Sequence, residues 1–405
     1  AARPVLSPID GRSVAGEATD ADAETAARAI AAALHGFPAW SATPATERAA
    51  ALERWGDAIE ANGARLMALL AVEAGKTRGD AIAEVREAVD FCRYYATEAR
   101  RQFAEAKRLP GPTGEDNRLA HRGRGVFVCI SPWNFPLAIF VGQVAAALAA
   151  GNAVVAKPAG NTPLIACEAV RLAHAAGVAK TALQFAPGPV GAALVSHPAV
   201  AGVAFTGSTE TAWGINRALA AKNGPIVPLI AETGGLNTMI VDATALPEQV
   251  ADDVVASAFR SAGQRCSALR LLFVQEDVAD GMIAMIAGAA KELKVGDPRE
   301  LVSDVGPVID VAARDAIRAH VAAMRAKGKV VFEGETPAEG SWIAPTIIRL
   351  DDPAELDREI FGPVLHVVTW KAKELDRVLE AVAASGYGLT LGIHSRIEAT
   401  VRRIV

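Results

Sequence analysis

The chain has 405 residues, which at roughly 100–200 residues per domain predicts two domains, with length enough for a sizeable core. Lys+Arg number 41 against Asp+Glu 46, a net charge of −5, and no basic tract stands out, which speaks against a nucleic-acid footprint. Hydrophobic residues at 51% with charged residues at 21% exclude a disordered chain.

The first segment, AARPVLSPIDGRSVAGEATDADAET, has no apolar run behind a basic start, so no signal peptide is read there. Thr19 or Asp20 is expected to cap a helix running to about His35, since a side-chain oxygen there accepts a first-turn amide. Alanine- and charge-rich helices are predicted over 46–62 and from Gly63 toward Phe103. The Pro/Gly-rich stretch RLPGPTGEDN breaks this helical region, and RLAHRGRGVFVCI reads as strand ending in a buried run. Strands VFVCI, AVVAK, LQFAP, GVAFTG and IVPLIAE then alternate with helices near 136–150, 162–176 and 209–221. A second alternating set follows: NTMIVD, a helix near 247–261, LRLLFVQED, a helix near 279–293, KVVFEG, APTIIRL, VLHVVTW, a helix near 373–384, and LTLGIHS. The predicted fold class is therefore α/β, a parallel sheet with helices on both faces. Gly234-Gly235 is a plausible domain joint. The apolar run 135–156 is interrupted by Gly151-Asn152, so it reads as a buried helix and strand rather than a membrane span.

The four cysteines, Cys92, Cys129, Cys167 and Cys266, lie far apart with no CxxC, which predicts no disulfide scaffold, no metal site and a reducing, cytoplasmic setting. The first three sit in apolar strings, where cysteine acts as a small buried hydrophobe. Cys266, in FRSAGQRCSALR, has a polar context, and Arg265 beside it favours the thiolate. It is a candidate nucleophile, with a half-buried structural thiol as the alternative. Glu232 ends the apolar run PLIAE; a buried strand end desolvates a carboxylate and suits it to act as a base. The alternative is a capping residue of the next turn. Asn134, in SPWNFP, is either an amide donor to an oxyanion or a turn residue. Gly207 and Ser208 lie where a strand passes into a helix, a site for phosphate, and Lys157 sits at another predicted strand end.

SPWNFP, VVAKPAG, AFTGSTE, IAETGG, FRSAGQRC and EIFGPV occur in that order between Ser131 and Val364, and together they resemble the aldehyde dehydrogenase superfamily. The flanking sequence resembles the L-glutamate γ-semialdehyde dehydrogenase half of the bifunctional bacterial proline-oxidising enzymes, proline utilization A. The resemblance implies a Rossmann-type NAD(P)-binding domain over 1–231, including an oligomerisation hairpin at about 103–124, and a catalytic thiol domain over 232–405. It implies that Cys266 attacks the aldehyde, that Asn134 and the Cys266 amide hold the oxyanion, and that Glu232 activates water against the thioester. It also implies that Lys157, Trp133, Ser208, Gly207, Glu359 and Phe361 bind NAD, and that Ser267 and Phe135 bind the substrate. A homo-oligomer fused to a proline dehydrogenase domain is the implied assembly, with no nucleic-acid or membrane partner for this chain.

Three departures accompany the resemblance. Gly160 stands where the family commonly has Glu, which leaves NADP open beside NAD. APGPVGAAL is two residues shorter than the family's loop there. A PFGG-like aldehyde-anchoring segment and a final oligomerisation strand are expected after Val405, so the C-terminus reads as incomplete. Oxidation of another semialdehyde, a catalytically impaired binding fold and a nitrilase-type cysteine hydrolase are the competing readings. The hydrolase needs Cys and Glu but no dinucleotide.

Overall fold

In the computed structural model, which describes residues 2–405, the chain opens with β1 (Ala2–Leu6) and β2 (Val14–Thr19), paired antiparallel. Helices α1 (Ala23–Ala42), α2 (Ala45–Ala61), α3 (Gly63–Ala74) and α4 (Arg78–Phe103) follow. The cap of α1 differs from expectation. Asp22 accepts the Thr25 amide at 2.7 Å, while the Asp20 carboxylate is held by Arg3 at 2.8 Å. The helix also passes through Pro38 instead of stopping near His35, because burial of Trp40, whose indole donates to the Leu148 carbonyl at 3.1 Å, overrides the proline. The single helix predicted from Gly63 is broken at Gly75, whose φ of +67° ends α3.

An exposed antiparallel hairpin, β3 (Lys107–Leu109) and β4 (Asn117–Leu119), leads into alternating elements: β5 (Val126–Ile130), α5 (Ala138–Ala149), β6 (Ala153–Lys157), α6 (Pro163–Ala175), β7 (Leu183–Phe185), α7 (Gly191–Ser196), β8 (Val200–Thr206), α8 (Thr209–Ala220) and β9 (Leu229–Glu232). The five strands form one parallel sheet in the order β7-β6-β5-β8-β9. Its central strands are apolar without alternation because helices cover both faces. Two buried carboxylates organise those helices. Glu73 of α3 accepts the Leu164 and Ile165 amides at 2.6 and 2.8 Å, and Glu84 of α4 accepts the Leu137 amide at 2.8 Å. Each accepts backbone amides at the start of a helix, where first-turn N–H groups lack intrahelical partners.

The remaining elements are β10 (Asn237–Val241), α9 (Pro247–Phe259), β11 (Leu269–Gln275), α10 (Glu276–Lys291), α11 (Val311–Ala326), β12 (Val330–Glu333), β13 (Thr346–Leu350), β14 (Val364–Trp370), α12 (Leu375–Ala384), β15 (Leu391–His394) and α13 (Glu398–Ile404). They build a six-stranded sheet, β12-β13-β14-β11-β10-β15, parallel except for the edge strand β12. The chain divides into two units. The first holds the chain up to Leu6, Val14–Ala74 and Ala81–Thr233; the second holds Ser7–Ser13, Gly75–Asp80 and Gly234–Val405. The run 135–156 is the twelve-residue α5 followed by β6, and no helix among the described residues is long and apolar enough to cross a membrane.

Candidate functional site

In the first unit the candidate residues gather where parallel strands end. Register pairs Ile130 with Lys157 and with Phe205, and Thr206 with Glu232, so four strands finish at one rim. Strand order reverses between β5 and β8, the kind of crevice in which open α/β sheets bind ligands. At that crevice the Gln143 amide donates to the Ile130 carbonyl and to Thr206 Oγ1 at 3.3 and 3.0 Å. Gln143 Oε1 and the neighbouring Ser131 hydroxyl are buried without a hydrogen-bond partner, so the rim retains polar capacity.

Trp133, Asn134 and Phe135 follow β5; Asn134 is buried and the two aromatics are half-buried. Lys157 closes β6 with its ammonium on the Pro158 carbonyl at 3.0 Å; burial lowers its pKa, opposed by the charge of Asp20. Gly207 follows β8 with its amide on the Glu232 carbonyl at 3.1 Å, and Ser208 caps α8 by accepting the Thr211 amide at 3.2 Å. Gly160 lies in open space, and its carbonyl accepts a hydrogen bond from Arg3 at 2.8 Å.

One expectation fails here. The apolar run before Glu232 predicts the end of a buried strand, yet β9 pairs only with β8 at the sheet edge, and Ile230, Ala231 and Glu232 are exposed. An apolar run does not distinguish a central strand from an edge strand. Cys167 departs in the same way: it is exposed on α6 rather than buried. Cys92 and Cys129 are buried, and burial pushes both thiols up, that of Cys129 to about 12.

In the second unit the candidates precede strands. Asn237 opens β10 opposite Leu269 of β11, so the Gly234-Gly235 pair and the Cys266 loop enter the sheet at the amino ends of adjacent strands. The loop leaves α9 through three successive left-handed residues: Ser261, Ala262 and Gly263, with φ of 55°, 52° and 64°. Ser and Ala rarely adopt this conformation, which costs on the order of 1–3 kcal/mol per residue and persists only where surroundings over-determine it. A side chain at Gly263 would collide with the Gly362 carbonyl.

Buried polar side chains hold the loop in that shape. Gln264 donates to the Ser261 and Pro307 carbonyls at 3.3 and 3.2 Å and accepts the Ile309 amide at 2.8 Å. The Asn237 amide donates to the Cys266 and Ala268 carbonyls at 2.6 and 2.9 Å and accepts the Thr390 amide at 3.0 Å. Cys266 and Ser267 are left half-buried. Arg265 turns its guanidinium onto the Ala256 and Ser257 carbonyls, at 3.0 and 2.9 Å, and its charge acts on Cys266.

Glu359 and Phe361 sit on the segment entering β14. Burial raises the Glu359 pKa, while the Arg270 cation and the Gly235 amide pull it down. A Cβ at Gly234 would meet the Glu359 carboxylate, so the two segments approach closely there. Gln264, Asn237 and Arg270 are functional candidates that the sequence alone does not mark. Their one signal is a polar residue set in or beside a buried run, as Arg270 is within LRLLFVQ. No group of three His, Cys, Asp or Glu side chains able to hold a metal occurs among the described residues.

The chain resembles characterised proteins over its whole length. It is 50% identical over 419 residues to the bifunctional protein PutA of Klebsiella aerogenes, covering 99% of this chain and 31% of that protein. A crystal structure of a mutant of Bradyrhizobium japonicum proline utilization A matches with a TM-score of 0.94 and 60% identity, over 96% of this chain and 40% of that one. A 1-pyrroline-5-carboxylate dehydrogenase from Thermus with bound NAD matches with a TM-score of 0.94 and 33% identity, over all of this chain and 79% of that one. The chain thus spans about a third of the length of its PutA relative. The pattern of the aldehyde dehydrogenase family matches residues 1–405, and the chain belongs to that family.

Proposed function

We propose that this chain carries the NAD-linked oxidation of L-glutamate γ-semialdehyde to L-glutamate, the aldehyde-oxidising step of proline breakdown. The observation that carries the reading is Cys266. Its thiol sits on a loop held in left-handed backbone by Gln264 and Asn237, in a chain 33% identical to a 1-pyrroline-5-carboxylate dehydrogenase with bound NAD. Such a loop is the kind of over-determined strain that accompanies reacting groups.

In this reading Cys266 Sγ adds to the aldehyde carbon and forms a thiohemiacetal. The side-chain amide of Asn134 and the Cys266 backbone N–H donate to the oxyanion, as fixed dipoles that need no reorganisation. A bound NAD would supply the hydride acceptor that oxidises this thiohemiacetal to a thioester. Glu232 then takes a proton from water as its oxygen attacks the thioester, and the cysteine leaves as thiolate. Ser267 binds the substrate carboxylate and Phe135 its aliphatic chain.

The first unit fits a dinucleotide on its own observations. Ser131 Oγ and Gln143 Oε1 lack partners at the switch point, and Ser208 opens α8, whose N-terminal amides suit pyrophosphate. Lys157 takes the adenosine ribose, Trp133, Gly207 and Ser208 the pyrophosphate, and Glu359 with Phe361 the nicotinamide ribose and ring. Gly160 presents no carboxylate, so a 2′-phosphate meets no repulsion from that position and NADP is a second cofactor. Residues 1–231 form the cofactor-binding domain and 232–405 the thiol domain of a homo-oligomer fused to a proline dehydrogenase in the longer protein.

The test compares NADH formation with glutamate semialdehyde and with short aliphatic aldehydes, alongside thermal shifts with NAD and NADP. Preferential turnover of glutamate semialdehyde is expected. Turnover of the aliphatic aldehydes alone overturns the substrate, and no shift with either dinucleotide overturns the dehydrogenase.

A further inference from the structure

Arg270 is fully buried on β11, one of the largest side chains with no exposed surface. Burying a cation is costly unless its environment compensates it, and here burial pushes its pKa down to about 10. Its compensation is mostly carbonyl oxygens. Nη1 donates to the Gly362 carbonyl at 2.9 Å and Nη2 to the Arg265 carbonyl at 3.1 Å. The nearest carboxylate oxygen, Glu359 Oε1, is 3.5 Å away, Nε has no partner, and the guanidinium lies 5.2 Å over the Phe361 ring. The cation is thus only partly neutralised.

The carbonyl of Arg265 belongs to the same planar peptide as the N–H of Cys266. In a trans peptide the two point in opposite directions, so a donor on the carbonyl sets where the N–H points. Donation from a cation also polarises the peptide and strengthens that N–H as a donor. On the other side of Cys266, Asn237 holds the Cys266 carbonyl at 2.6 Å. Both peptide planes flanking the thiol are therefore fixed from within the second unit. The Arg270 carbonyl is fixed in turn: His366 Nδ1 donates to it at 3.2 Å, which leaves His366 Nε2 to accept from His320 Nε2 at 2.9 Å.

We infer that Arg270 is a positioning residue of the aldehyde-oxidising site: it aims and polarises the Cys266 N–H toward the oxyanion. This rests on the proposed dehydrogenase reading, deepening it with a residue that touches neither substrate nor cofactor. The Cys266 charge acts on Arg270 across the loop. Arg270 also joins the thiol loop to the segment carrying Glu359, since one guanidinium holds the Arg265 and Gly362 carbonyls together.

The test uses Arg270→Met and Arg270→Lys in a Cys167→Ser background, so that iodoacetamide reads Cys266 and not the exposed Cys167. Two readouts are taken: the pH profile of alkylation, which needs neither aldehyde nor cofactor, and steady-state NADH formation. In Arg270→Met the profile is expected to move up by about one pH unit, slowing alkylation about tenfold at neutral pH. Its kcat is expected to fall about 10–100-fold, with the KM for aldehyde changed less than about threefold. Lysine keeps the charge but lacks the fork that spans both carbonyls, so Arg270→Lys should restore most of the alkylation profile and little of kcat. A folded Arg270→Met with the wild-type profile, or an Arg270→Lys with wild-type kcat, overturns the inference. If Arg270→Met does not fold, Arg270→Lys decides. If the unmodified chain oxidises no aldehyde, the dehydrogenase reading fails, and the alkylation profile still tests Arg270.

Discussion

The two units present their candidate residues at opposite ends of their strands. In the first, Trp133, Lys157, Ser208 and Glu232 follow or close strands, where helices begin and buried polar groups are left without partners. In the second, Gly234, Cys266 and Glu359 precede strands, and the Cys266 loop is bent into shape by left-handed backbone at 261–263 and by buried amides. The difference separates two kinds of positioning. A phosphate-binding rim comes nearly free with a parallel sheet, because the carboxyl ends already carry oriented amides. A thiol that must point one way has no such generic support, so its loop is over-determined by particular side chains.

That contrast can be broken with two glycines. Gly263→Ala places a Cβ against the Gly362 carbonyl at a φ of +64° and should lose at least about 3 kcal/mol in a urea melt. Gly160→Ala, in open space, should stay within about 0.5 kcal/mol. A loss below about 1 kcal/mol at Gly263 would show that the Cys266 loop is no more constrained than the strand-end rim of the first unit.

The units should also diverge with pH. Burial raises Glu73 in the first unit from 4.5 to about 7, ahead of the opposing pull of the Leu164 and Ile165 amides. A raised folded pKa gives a contribution that is full below 4.5 and lost as pH rises to about 7, so acidification through that window stabilises this unit. Burial lowers His366 in the second unit below its ordinary 6.5, reinforced by His320. Its contribution is full above 6.5 and lost as pH falls, because the unfolded imidazole takes the proton first. A tenfold change in proton affinity corresponds to about 1.4 kcal/mol, so each effect reaches a few kcal/mol. Hydrogen exchange at pH 7 and pH 5, corrected for intrinsic rates, should show protection rising around Glu73 and falling around His366. Glu73→Gln and His366→Gln should each abolish the corresponding response. Parallel changes in both units would contradict the assignment.

Smaller effects sharpen the nucleotide side. Ser208→Ala removes the cap on the Thr211 amide, which should cost about 1 kcal/mol and raise the KM for NAD while leaving the Cys266 alkylation profile unchanged. Gly160→Glu should lower NADP use relative to NAD about tenfold through charge repulsion alone, since the side chain meets open space. Equal loss with both cofactors would place that residue away from the 2′ position.

Much of the first unit is legible in the sequence because buried parallel strands are unbroken apolar runs bounded by turn signals. VFVCI and AVVAK form β5 and β6 nearly to the residue. The hairpin β1–β2 is not legible, since ARPVL and VAGEAT are short and interrupted by Pro or Gly. Helix α11 is missing from the predicted elements, although Asp310 caps it and Ile317, Val321 and Met324 fall at helical spacing. The candidate site is readable as residue types, Cys266 among them, but not as geometry. Pairings such as the Asn237 side chain with the Cys266 carbonyl, or the Gln264 side chain with the Ile309 amide, join a side chain to a backbone group tens of residues away and leave no local trace. Nor can an apolar run tell that β9 lies at an edge with Glu232 exposed.

The division of labour is tested most directly by Cys266→Ala, assayed for NADH formation with glutamate semialdehyde and for the thermal shift produced by NAD. The account predicts no NADH above background and a thermal shift equal to that of the unmodified chain. Residual NADH formation, or a lost thermal shift in a folded variant, would contradict it.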